Sequence, residues 1–340
     1  MPTNRSWVLA HRPSGMVQET DFELRESAIP EPGAGEILGR TIYCSLDPAM
    51  RGWMVDRPSY VPPVQIGEVM RAGGCGEVVK SNNPGFVPGD LVTGMTGWQE
   101  YCLSDGSGLM AMRKLAPGTD LRASMGVFSG AGMSAYFGLL DLGQPKAGEV
   151  VVVSGAAGAV GSVAGQIAKI KGCRVVGIAG SDEKCAWLVD ELGFDAAINY
   201  KTENVAVRLH ETCPDGIDVY FDNVGGPILD MVLAQIRMKA RIVLCGGISA
   251  YNAEVPPPGP ANLMMLVGMR ARMEGFIIID YIPRFPEAGE EMGRWMAEGR
   301  LKARDTIVEG IEKAPRALQM LFEGGNTGKL LLKVGAEPAR

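Results

Sequence analysis

The sequence predicts an α/β protein in two domains, a compact β domain followed by a doubly wound parallel sheet. Three observations carry this. Residues 150–184 read as one βαβ unit, and βα alternation continues beyond Tyr200. Between Ser6 and about Arg113 the pattern is instead short strand-like runs broken by Gly and Pro.

In chain order, Glu36–Ile42, Glu77–Lys80 and Asp90–Gly94 have strand composition, with turns at Pro32-Gly33 and Pro88-Gly89-Asp90. Tyr136–Leu142 continues a helix leading to four consecutive valines, Val150–Val153, the mark of a strand buried on both faces. Val160–Lys171 has apolar residues at helical spacing, and Gly172 stops it. Arg174–Ala179 and Ala196–Tyr200 are the next strand-like runs. They are followed by strand Ile217–Asp222, helix Ile228–Met238 and strand Ala240–Gly246. Ala250–Ala261, with four prolines, reads as an irregular loop; a Met-rich segment, Asn262–Met269, and an apolar strand, Gly275–Asp280, come next. Helix Ala314–Glu323 and strand Lys329–Val334 fall outside the doubly wound pattern and are expected to return to the β domain. The expected domains are therefore 1–128 completed by 312–340, and 129–311.

A chain of 340 residues can bury a large core, and 46% hydrophobic with 21% charged residues is ordinary for a globular protein. A net charge of −6 without a basic block argues against a nucleic-acid partner. No apolar run approaches the roughly 20 residues that span a bilayer, and the N-terminal stretch lacks a signal-peptide core. The seven cysteines are scattered without a C-x-x-C pair, as expected of reduced thiols in a cytoplasmic protein.

In the turn after the valines, Ala156, Gly158 and Gly161 fit an A-x-G-x-x-G variant of the dinucleotide fingerprint. Small residues there let backbone approach a pyrophosphate, whose charge sits on helix N-terminal amides. The same residues also suit a tight strand-to-helix turn. An NAD site offers a carboxylate about twenty residues on, for the ribose 2′-hydroxyl; here that position falls on Gly180 and Ser181. Lys184, in the next helix's first turn, could instead meet a 2′-phosphate, or be a solvated helix residue. Asp182 is explained as a helix N-cap, and Tyr200 is a second candidate for the phosphate pocket. The reading is NADP(H).

Metal-ligand spacing is missing. There are two histidines, His11 and His210, and a zinc site from His210 and Cys213 alone is not expected. Polarising a carbonyl then falls to hydroxyls and backbone donors, with the redox chemistry left to the nicotinamide. Ligands bind at the carboxyl ends of parallel strands, which favours Ser249 and Tyr251 in Cys245-Gly246-Gly247-Ile248-Ser249-Ala250-Tyr251. Tyr251 could equally be structural, bonding its own loop. Asn223, after strand 217–222, suits a cofactor contact or a turn.

Together these residues resemble the zinc-independent medium-chain dehydrogenase/reductases, in the prostaglandin reductase and alkenal double-bond reductase branch. The likeness runs through Ser45-Leu46-Asp47-Pro48 with Met50-Arg51, Ala157 to Ser162, Gly180-Ser181-Asp182-Glu183-Lys184, Asn199-Tyr200-Lys201, Phe221 to Gly226, and Gly325-Asn326-Thr327-Gly328-Lys329. It implies a GroES-like β-barrel catalytic domain with a Rossmann domain, and NADPH-dependent reduction of the C=C bond of α,β-unsaturated ketones or aldehydes. Gly158, Ala159, Val160 and Gly161 would cradle pyrophosphate, and Lys184 and Tyr200 would hold the 2′-phosphate. Asn223, Cys245 to Tyr251, Phe276, Ile277, Ile278 and Asn326 would line the rest of the cofactor. Tyr251 would polarise the substrate, with Asp47, Ala49 and Met264 nearby. A homodimer through the edge of the Rossmann sheet is also implied.

Two departures bear on substrate. Ala49 stands where many relatives carry an aromatic residue, and Ser134 replaces a threonine. The loop Pro256–Pro260 with Met264, Met265 and Met269 suits either a substrate lid, for which methionine is adaptable, or a packed loop or subunit contact. A quinone reductase and a non-catalytic NADPH-binding scaffold are the alternative functions.

Overall fold

A computed structural model describes residues 3–108, 111–116 and 118–338. The chain passes from a first unit to a second between Met125 and Gly126, and returns between Arg304 and Asp305.

In the first unit β1 (Thr3–Leu9) pairs antiparallel with β2 (Phe22–Ala28). There follow β3 (Ile37–Ser45), the short helix α1 (Met50–Trp53), β4 (Gly73–Ser81), β5 (Leu91–Met95), β6 (Tyr101–Ser104), β7 (Arg113–Lys114) and α2 (Leu121–Met125). β3 is the fork of this sheet. One edge lies along β4, while the other takes β6 at Ile37–Arg40 and a C-terminal strand at Tyr43–Ser45.

The second unit opens on α3 (Gly130–Phe137), runs through a π-helical turn at Gly138–Gly143 and enters β8 (Val150–Ser154). Then come α4 (Ala159–Ile170), β9 (Arg174–Ala179), α5 (Asp182–Ala186), β10 (Ala196–Asn199), α6 (Val205–Thr212), β11 (Ile217–Asp222) and α7 (Gly226–Leu233). β12 (Ile236–Leu244), α8 (Met265–Gly268), β13 (Arg272–Gly275) and α9 (Phe285–Ala297) complete it. All six strands are parallel, in the order β10-β9-β8-β11-β12-β13. This is the doubly wound arrangement, with the order reversing beside β8.

The valine run explains itself here. Val151 and Val153 belong to one hydrophobic core, Val150 and Val152 to the other on the opposite face. Each buried valine contributes on the order of 1.5–3 kcal/mol, so only a strand covered on both sides uses four in succession. On the first face α4 approaches closely because it carries glycine. A Cβ at Gly165 would lie 1.9 Å from Phe194 Cζ.

The chain re-enters the first unit as β14 (Asp305–Glu309), α10 (Ala314–Glu323) and β15 (Lys329–Lys333). β15 runs parallel to β14 and antiparallel to β3. Three local readings of the sequence need correction. β14 was not foreseen, and its pairing with β15 puts the return at 304/305 rather than 311/312. The helix expected to Met238 ends at Leu233, because Ile236 starts β12 opposite Ile217. The strand expected at Gly275–Asp280 lies instead at Arg272–Gly275, and residues 278–284 form a 3-10 helix.

Gly165→Ala is expected to cost about 1–3 kcal/mol by overpacking, read as a fall of several degrees in Tm. An unchanged Tm would show that the Phe194 ring moves aside without cost.

Candidate active site

The carboxyl ends of β8, β9, β11 and β12 assemble the second unit's site. After β8, Gly155 turns the chain at φ +57°, a conformation glycine adopts without penalty. Gly158 is the N-cap of α4, whose first-turn amides receive no side-chain cap, leaving an N-terminus suited to an anion. Gly158, Ala159 and Val160 are half-buried there and Gly161 is buried. A Cβ on Gly161 would meet Gly155 O at 2.4 Å and Ala156 Cα at 2.7 Å, so this glycine is needed for packing the helix on the turn.

At the ends of β9 and β10, the helix α5 is capped by Ser181, whose Oγ accepts the Lys184 N–H at 3.3 Å. The expected N-cap, Asp182, instead accepts from Asn199 Nδ2 at 2.6 Å. Ser181, the residue just outside the helix, takes the cap, because Asp182 is already the first helical residue and buried Asn199 needs its carboxylate as acceptor. The Tyr200 ring lies over Gly180, where a Cβ would come within 3.0 Å of it. Burial lowers the Lys184 ammonium below the ordinary lysine value, and the charge of Lys201 lowers it further. Lys184 and Lys201 thus lie close enough to act on each other, with Glu183 also acting on Lys184 and Asp182 engaged by Asn199. Lys201 was not singled out from sequence; its signal was adjacency to Tyr200.

Beyond β11 the network is denser. Asp222 is fully buried, and its Oδ1 accepts from Ser154 Oγ and Tyr220 OH at 2.8 Å and from the Val224 and Gly225 amides at 2.9 Å. Asn223 Nδ2 donates to Ser154 O at 2.7 Å, tying β11 to β8. The segment Cys245 to Tyr251 folds back on these residues. Cys245 and Gly246 donate to Asp222 O, Ile248 to Asn223 O and Ser249 to Val224 O. Ser249 Oγ also donates to Val224 O, at 2.7 Å, so this hydroxyl is committed to the loop. Tyr251 Oη accepts the Gly247 N–H at 3.2 Å and lies as close to a Cβ position on Gly246. Burial and Asp222 push the Cys245 thiol up to about 12, so it is no nucleophile at neutral pH.

The ends of β12 and β13 border a recess of about 530 Å³ lined by Leu244, Cys245, Gly246, Gly275, Phe276, Ile277 and Asp280. The Phe276 ring packs on Gly138, where a Cβ would meet it at 2.7 Å, so Phe276 serves the core as well as the recess. Ile278 also packs against that core. Ser134 Oγ is turned back on its own helix, donating to Gly130 O. Met265 and Met269 pack on the second core, whereas Met264 is exposed. Asn262 fixes this segment by donating its N–H to Asp230 Oδ1 at 2.7 Å.

In the first unit Asp47 is held between Ser45 Oγ and the Lys329 ammonium, 2.6 Å from its Oδ1; Lys329 is itself buried and also donates to Leu46 O. Ala49 caps the start of α1. Asn326 Nδ2 donates to Gly328 O in the turn before β15. His11 belongs to the first unit and His210 to the second. Among the described residues no group of three or more His, Cys, Asp or Glu is placed to hold a metal.

Two family models match: residues 5–112 an N-terminal domain of oxidoreductase, residues 159–296 a zinc-binding dehydrogenase. The chain is 45% identical to the Escherichia coli NADPH-dependent curcumin reductase over 98% of both chains. It is 40% identical to rat prostaglandin reductase 1 over 97% of this chain and 98% of that one. The structure of CurA from Vibrio vulnificus in complex with NADPH matches at a TM-score of 0.93 and 45% identity, covering 98% of this chain and all of that one. Fold and site define an NADP-dependent oxidoreductase of the medium-chain dehydrogenase/reductase type. Within that class the chain belongs to the prostaglandin reductase and 2-alkenal reductase branch.

Lys184→Ala is expected to raise the NADPH KM by about 10–100-fold, the worth of one charge-assisted bond, and to leave the NADH KM unchanged. Equal effects on both cofactors would place Lys184 away from the 2′-phosphate. Lys329→Met strands Asp47; because Asp47 is part-exposed, the loss of stability is expected to fall below the roughly 3–5 kcal/mol of a fully buried pair. Chemical denaturation measures it, and a neutral result would show that water replaces the ammonium.

Proposed function

We propose that this chain is an NADPH-dependent reductase of the carbon–carbon double bond of α,β-unsaturated ketones and aldehydes. The observation that carries the reading is Tyr251, a phenol held by a backbone amide against Gly246 in the wall of the recess. It stands in a unit whose other strand ends suit an NADP-type dinucleotide, in a chain with near full-length resemblance to NADPH-dependent reductases.

NADPH, when bound, supplies the hydride to the substrate β-carbon. Gly158 to Gly161 would present amides to the pyrophosphate, Lys184 and Lys201 would neutralise the 2′-phosphate, and Tyr200 would donate its O–H to it. Tyr251 Oη accepts from Gly247 N–H, and a phenol that accepts is the better donor. The Tyr251 O–H meets the substrate carbonyl oxygen, where negative charge develops as the β-carbon takes the hydride. No metal is needed for this polarisation.

The chain acts as a homodimer through the free edge of β13, supported by the exposed Leu263, Met264 and Val267 just before that strand. Its compartment is the cytoplasm, supported by seven free cysteines. No helix among the described residues is long and apolar enough to cross a membrane.

The test is NADPH oxidation with trans-2-alkenals, enones and a naphthoquinone, repeated with NADH. Rapid loss of NADPH with a saturated carbonyl product, and little with NADH, is expected. Oxidation with quinone alone would identify a quinone reductase, and no oxidation despite NADPH binding would identify a scaffold. Tyr251→Phe is expected to lower kcat on enones by roughly 10²-fold; an unchanged kcat would leave the tyrosine a structural role only.

A further inference from the structure

Asp222 carries more than its loop requires. Its Oδ1 already satisfies the four donors of Ser154, Tyr220, Val224 and Gly225. Its Oδ2 is buried and has no hydrogen-bond donor among the described residues. None of the ion pairs among them includes Asp222 either. Four donors meet one oxygen and none meets the other, leaving a buried carboxylate without a counter-cation, an arrangement that costs stability.

The charge is close to the recess. Asp222 O accepts the amides of Cys245 and Gly246, which line that recess. The carboxylate also acts electrostatically on the Cys245 thiol. The other carboxylate at the recess, Asp280, is exposed, and water screens it.

We infer that Asp222 is a positioning residue whose buried charge tunes the cofactor, favouring the oxidised, cationic nicotinamide over the neutral reduced ring. The inference rests on the NADP(H) reading above. Giving one hydride (a proton with two electrons) to the substrate β-carbon would leave the neutral dihydronicotinamide ring singly positive and the substrate as an enolate, which then takes a proton at its α-carbon. Asp222 lowers the free energy of that positive state, so it makes the bound reduced cofactor a stronger hydride donor. This role differs from loop support, because support acts on both redox forms alike.

The experiment is calorimetric titration of the full chain with NADP+ and with NADPH, for wild type, Asp222→Asn and Tyr220→Phe. Asn can accept from the same four donors through its amide oxygen while losing the charge. Asp222→Asn is expected to weaken NADP+ relative to NADPH on the order of tenfold. Tyr220→Phe keeps the charge and removes one neutralising donor, so it shifts the ratio toward NADP+ by a smaller factor; it carries the test if Asp222→Asn does not fold. A ratio of the two Kd values unmoved by Asp222→Asn, or by Tyr220→Phe where that variant stands alone, overturns the inference. A wild-type chain that binds neither form overturns the cofactor reading instead, a separate result.

Discussion

Four donors converge on one carboxylate oxygen at the end of the strand that faces β8 across the reversal point of the sheet. The geometry of the two loops after β11 and β12 follows from this. Amides of Val224 and Gly225 are taken up by the Asp222 side chain, those of Cys245 and Gly246 by its carbonyl, and those of Ile248 and Ser249 by the next two carbonyls. The hydrogen-bond ladder of the sheet thus continues beyond the strands into segments that are irregular by dihedral angle. Buried backbone polar groups must be paired, and here the pairing keeps Tyr251 and the recess wall on a rigid support.

The second organising constraint is the thinness of α4 where it meets the sheet. Gly161 and Gly165 face the sheet turn and Phe194, so backbone and ring occupy the space that side chains usually take. The helix N-terminus is thereby brought against the turn that follows β8, and its uncapped amides lie at the strand's carboxyl end. The anion contact proposed above would draw on the same small residues that this packing requires.

Much of this architecture was legible because burial on two faces leaves a plain signature: the valines of β8, the apolar β9 and β11, and the glycines between them. Lys184 stands where an NAD site would offer a carboxylate, and the sequence left it either as a 2′-phosphate contact or as a solvated helix residue; the first is the proposal made above. Elsewhere local pattern yielded to long-range pairing. Asp182 was drawn away from the cap by Asn199, seventeen positions on. For Met265 and Met269 the sequence left a substrate lid, a packed loop or a subunit contact open, and the structure packs both against the second core. β13 and β14 escaped notice because edge strands of mixed polarity, such as Arg-Met-Glu-Gly and Asp-Thr-Ile-Val-Glu, lack the alternation or apolar run that marks interior strands. Lys201 is exposed, and beyond its place next to Tyr200 it is the nearness to Lys184 that singles it out.

β15 lies between β14 and β3, and α10 places Ala314, Ala317 and Leu318 in the same core as Leu9, Val17 and Trp98. The first unit therefore lacks an interior strand and part of its core until the chain beyond residue 304 has been made. The doubly wound unit is contiguous and has no such debt to later residues. During synthesis the order of completion is the reverse of the order of translation: the unit begun second closes first, and the N-terminal segment waits in an unfinished state for its own far end.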